Sequence, residues 1–115
     1  MRDKGVKVFY GNLYWVGKIR SLSTIQILDL LLFKTRRNSA VLALKKGDKT
    51  KIAERLGISM VTLCRGFAIL DEYGIVRKDG ASYILNPRMY WYGDLPVRSR
   101  AIVKYDELFR YLKNS

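Results

Sequence analysis

The chain has 115 residues, with 22 Lys plus Arg against 10 Asp plus Glu and a net charge of +12. That length suits one domain spanning residues 1–115, and the charge favours a polyanionic partner, nucleic acid first. Without histidine and with one cysteine, Cys64, the chain excludes histidine-activated nucleophiles, histidine zinc sites, internal disulfides and cysteine metal clusters.

The N-terminal "MRDKGVKVFY" has no signal-peptide core. The most apolar run, "IQILDLLLF", is short and carries Asp29, so a cytoplasmic protein without a membrane span is expected. Charges are spread along the chain rather than gathered into a polybasic lipid anchor. "VKVFYGNLYWVGKI" fits two readings over residues 6–18: a hairpin turning at Gly11-Asn12, or a strand followed by a short helix.

From about Ser23, "STIQILDLLLFKTRR" reads as a helix capped by Ser23 or Thr24, with Ile27, Leu28, Leu31 and Leu32 as its buried stripe. Asn38 begins a turn, and "SAVLAL", residues 39–44, suits a strand. "KKGDKTK" has no phosphate-loop spacing and reads as a polar turn. In "TKIAERLGISMVTLCRGFAIL" the apolar positions Ile52, Ala53 and Leu56, then Leu63, Phe67 and Leu70, define two short helices with one buried face each. Gly57 suits the left-handed break between them, Ile58 the core, and Ser59 the cap of the second. This is a helix-turn-helix pattern, whose second helix usually enters the DNA major groove. Cys64 falls beside that helix's buried centre and is expected as a small packing residue.

Gly74 suits a left-handed helix end. Two β-prone runs, residues 75–78 and 81–85, flank Asp79-Gly80, a strong hairpin signal, and Pro87 makes further strand unfavourable. The expected fold is therefore α+β: a winged helix-turn-helix with a small antiparallel sheet, to which "SAVLAL" adds a third strand, and an additional C-terminal helix. "NPRMYWYGDL" gathers Tyr90, Trp91 and Tyr92, which suit either a core or subunit edge or stacking on unpaired bases. In "RSRAIVKYDELFRYLKNS", Ala101, Tyr105, Leu108, Phe109 and Leu112 have helical spacing, for a last core helix or a dimer contact.

Together, "VKVFYGNL", "STIQILDLLLF", "RRNSAVLAL", "KIAERLGISMVTLCRGFAIL", "EYGIVRK" and "YILNPRMYWYGD" resemble plasmid replication proteins of the RepL type, from about Val6 to Asp94. Asn86, Pro87 and Gly93 carry most of that specificity. The resemblance implies double-stranded DNA binding in plasmid or mobile-element replication initiation or its control, without nicking chemistry. A winged-helix transcriptional regulator and a non-catalytic protein-interaction module are the alternatives. Homodimerisation and host replication proteins as further partners are compatible with either DNA-binding reading. Gly66 falls inside the second helix, where it costs about 1 kcal/mol relative to Ala.

With Leu63, Phe67 and Leu70 inward, Val61, Arg65, Ala68 and Glu72 fall on the opposite face. Val61, Thr62 and Arg65 are the expected base readers, Arg65 through guanine O6 and N7. Lys49, Lys51, Arg55 and Ser59 are assigned to the DNA backbone, and Arg77, Lys78 and Gly80 to the wing. No catalytic residue, metal site or cofactor is expected, because the few carboxylates fall mostly on helix surfaces.

Overall fold

The computed structural model describes residues 6–8, 19–42, 44–80 and 82–113. Its elements are β1 (Lys7–Val8), α1 (Leu22–Phe33), β2 (Val41–Leu42), α2 (Asp48–Leu56), α3 (Met60–Glu72), β3 (Val76–Asp79), β4 (Ser82–Leu85), β5 (Tyr90–Trp91) and α4 (Leu95–Lys113). The choice between hairpin and strand plus helix falls mostly outside the described residues; only its first strand, β1, lies within them.

Helix α1 starts one residue earlier than the periodicity predicts. Ser21 caps it, its hydroxyl accepting from the Thr24 amide at 3.2 Å, in place of Ser23 or Thr24. Thr24 is instead buried with Ile27, Leu28 and Leu31, while Leu32 stays half-buried. This face packs on α3, where Leu63, Phe67 and Leu70 are buried as the spacing requires. Each such side chain contributes roughly 1.5–3 kcal/mol by leaving water. Gly66 lies in the same seam, and a Cβ there would overlap Ile27 Cδ1. The glycine that weakens α3 as an isolated helix is what lets α1 come so close.

The break between α2 and α3 follows the sequence reading. Gly57 is left-handed at φ 66°, and the Ile58 amide closes the α2 end by donating to the Ala53 carbonyl at 3.0 Å. Ser59 then caps α3, accepting from the Thr62 amide at 3.1 Å. Ile52 and Ala53 are buried and Leu56 half-buried. Cys64 is exposed, contrary to its expected packing role, because the buried arc of α3 is narrow enough to leave its flank in solvent.

Strands β3 and β4 form the wing hairpin, and β2 pairs with β4, giving the antiparallel order β2-β4-β3. Asp79 pairs with Ser82, so Asp79 belongs to the strand and the tip begins at Gly80, one residue later than expected. The strand in residues 39–44 is confined to Val41–Leu42 among the described residues. A second ladder, β1 with β5, sets Lys7 opposite Trp91 and Val8 opposite Tyr90. Tyr90 and Trp91 are buried and the Trp91 indole N–H donates to the Asp94 carbonyl at 3.1 Å, so these rings serve the core rather than stacking on bases.

The residues after the wing are tied down at three points. The Asn86 side-chain amide donates to the Gly74 carbonyl at 2.9 Å, and its oxygen accepts from the Arg88 amide at 3.0 Å. Arg98 of α4 reaches the Pro87 and Arg88 carbonyls at 2.9 and 3.2 Å, and Arg88 forms a two-pronged pair with Asp106. At Gly93, with φ 135°, a Cβ would overlap Asn38, whose side chain exchanges hydrogen bonds with Asp94. Asn86, Pro87 and Gly93 thus lock the post-wing segment onto the turn between α3 and β3, onto α4 and onto the turn before β2, respectively. Helix α4 covers the outer face of the sheet with Tyr105 and Phe109 against Ile84, which makes it a core helix.

Candidate nucleic-acid interface

On α3, Val61, Arg65, Ala68 and Glu72 are all exposed, opposite the buried Leu63, Phe67 and Leu70. Val61 is 62% exposed near the start of the helix. Thr62 is half-buried, and its hydroxyl oxygen accepts from the Ser59 hydroxyl at 3.0 Å, so Ser59 and Thr62 are both tied into the cap. Ser59 itself remains exposed.

Lys51 and Arg55 are exposed on α2 and open onto a groove of about 510 Å³ between α1 and α2, with Phe33, Lys34 and Asp48 nearby. A hydrogen bond from the Lys45 amide at 2.7 Å, aided by the charges of Lys34, Lys51 and Lys45, holds the Asp48 carboxyl below its ordinary range. This carboxylate ties the first residue of α2 back to Lys45 in the preceding turn.

Strand alternation sends the two cations of β3 in opposite directions. Lys78 pairs with Tyr83 and is exposed; Arg77 pairs with Ile84 on the face covered by α4. The Arg77 guanidinium lies 5.5 Å from the centre of the Phe109 ring and beside Gly74. Sequence adjacency placed both at the wing, but the structure brings only Lys78 to the helix side of it. Gly80, left-handed at φ 58°, stands exposed at the tip.

Lys49 is half-buried rather than free at the surface. Its ammonium donates to the Tyr83 hydroxyl and sits 5.1 Å from the Phe67 ring centre and 4.7 Å from that of Tyr83. Because Phe67 belongs to α3 and Tyr83 to the wing, this one cation joins the two elements; their rings are 5.0 Å apart. Around it lies a pocket of about 250 Å³ lined by Lys45, Lys46, Lys49, Lys78 and Tyr83. Lys45 and Lys46 were missed in the sequence reading: the run "KKGDK" marks a basic turn before α2, but nothing in it places the turn beside Tyr83.

Among the described residues no group of His, Cys, Asp and Glu could hold a metal, and no helix is long and apolar enough to cross a membrane. Helix-turn-helix, hairpin wing and third strand define a winged helix-turn-helix protein. The model of the Firmicute plasmid replication protein (RepL) matches residues 22–112, and the chain belongs to this family of plasmid replication proteins. No curated protein and no solved structure matches the chain.

Proposed function

We propose that the protein is a non-catalytic, sequence-specific binder of double-stranded DNA that acts in initiating plasmid replication or controlling it. The observation that carries this reading is the bare outward stripe of α3, Val61, Arg65 and Ala68, opposite a fully buried one. A helix held rigidly by its back, with an arginine and small apolar groups at its front, has the form of a major-groove reader. In this assignment Arg65 reads a guanine, Val61 meets a thymine methyl, and Thr62 contacts a base edge. Lys51, Arg55, Lys49 and the exposed Ser59 serve the backbone, with Lys78 and Gly80 at the wing. Arg77 has a packing role on Phe109, although its sequence position made it a wing contact. The net charge of +12 supplies the long-range attraction.

We assign the 115 residues to one cytoplasmic functional unit that acts on its own replicon, with a homodimer and host replication proteins as its further partners. Protection of replicon DNA from nuclease tests the reading. Repeated protected sites at the replication origin are expected. Protection confined to a promoter would favour a transcriptional regulator, and no protection with salt-insensitive binding would leave a protein-interaction module.

A further inference from the structure

We propose that the lysine-lined pocket between the approach to α2 and the wing holds one phosphate group of the bound DNA backbone, an inference that rests on the duplex-binding reading. The polar turn "KKGDK" finds its use here. Lys45, Lys46 and Lys49 come from that segment and Lys78 from β3, around a pocket of about 250 Å³ that no carboxylate among the described residues lines. The adjacent carboxylate, Asp48, accepts from the Lys45 amide and faces the α1–α2 groove instead. Four lysines gathered around one pocket, of which Lys45 has the Asp48 carboxylate within electrostatic reach, form a focus for an anion.

The chemistry of Tyr83 selects a phosphate acceptor. Its hydroxyl oxygen accepts from Lys49, which leaves its own O–H to donate, and a phosphate oxygen is a strong acceptor. Lys49 is held by the Tyr83 hydroxyl beside the touching rings of Phe67 and Tyr83, so the most buried of the four lysines is fixed in place, while Lys45, Lys46 and Lys78 are exposed. The rings of this cradle come from α3 and β4. A phosphate seated there sets the height of α3 in the groove relative to the backbone, making this pocket a register point rather than one more surface charge.

The test compares the full chain with the double variant Lys45→Gln/Lys46→Gln, both positions being exposed. Duplex affinity is measured across a salt series, and lysine acylation is read by mass spectrometry with duplex, with inorganic pyrophosphate and with neither. The expected result is protection of Lys45, Lys46 and Lys78 by duplex but not of Lys104 on α4, with the log-log salt slope reduced in the variant by about 0.9, the value for one phosphate. Duplex binding with an unchanged slope and unprotected lysines overturns the pocket and leaves the duplex reading standing. Failure of the parent chain to bind duplex overturns both. Protection by pyrophosphate without protection by duplex overturns the backbone source and assigns the pocket to a free phosphate compound.

Discussion

Arg77 and Lys78 are neighbours on one strand, yet they belong to different halves of the molecule. Lys78 faces the side of the sheet where Tyr83, Lys49 and Phe67 join the wing to α3; Arg77 faces α4, over Phe109 and beside Gly74. One face gathers cations with little acidic compensation, and the other spends its charges internally, Arg98 on carbonyls and Arg88 on Asp106. The surroundings a cation meets are therefore set by the face its strand position selects, rather than by its distance from a turn.

The lock on the α4 side is the most sensitive place to break this division. Gly93→Ala combines an unfavourable φ with overlap on Asn38, and should cost about 3 kcal/mol. A thermal melt should show the lowered midpoint; an unchanged one would show that the turn before β2 is not held by this contact. Next in size is Gly57→Val between α2 and α3, where a β-branched residue meets a left-handed backbone at φ 66°, for a loss of about 2 kcal/mol in denaturant unfolding.

The seam between α1 and α3 holds α3 from behind. Gly66→Ala gains about 1 kcal/mol of helix propensity but loses about 2 by overpacking against Ile27. In an Ile27→Val background, where Cδ1 is gone, the same change should become neutral or stabilising. Equal effects in both backgrounds would rule out the close approach. This glycine also marks a boundary of sequence reading: periodicity found both helices and their buried faces, but which residue lies at their crossing depends on the packing angle.

Much else was legible where the cause is local. Ser59, Gly57, Gly74 and Gly80 follow from caps and turns, and Val61, Arg65, Ala68 and Glu72 from helical geometry. Long-range pairing was not legible: β1 against β5, Arg77 over Phe109, and the four lysines brought around Tyr83 each join segments with no shared periodicity. Ser21 was passed over as a cap because Ser23 and Thr24 offered the same chemistry two and three residues later.

Smaller effects separate the two faces directly. Arg77→Ala should lower stability by about 0.5–1 kcal/mol through the lost ring contact and leave duplex affinity nearly unchanged. Lys78→Ala should leave stability unchanged and reduce the salt slope by about one unit. On the α4 side, burial pushes the Tyr105 phenol up to about 12 from its ordinary value of 10, while its hydroxyl donates to the Gly74 carbonyl at 3.2 Å. The folded state holds that proton more tightly, so this contribution is complete below pH 10 and is lost as the pH rises towards 12. Tyr105→Phe should flatten that part of the stability profile in alkaline unfolding measurements.

The claim that the exposed stripe of α3 reads DNA is tested most directly by measuring Arg65→Ala on the replicon segment the parent protein protects and on random duplex, with folding checked by circular dichroism. A loss of roughly 1–3 kcal/mol is expected on the specific segment, with much less on random duplex and a relaxed preference at one base pair. Equal losses on both would contradict base reading by Arg65, and no loss on either would contradict the assignment of this face.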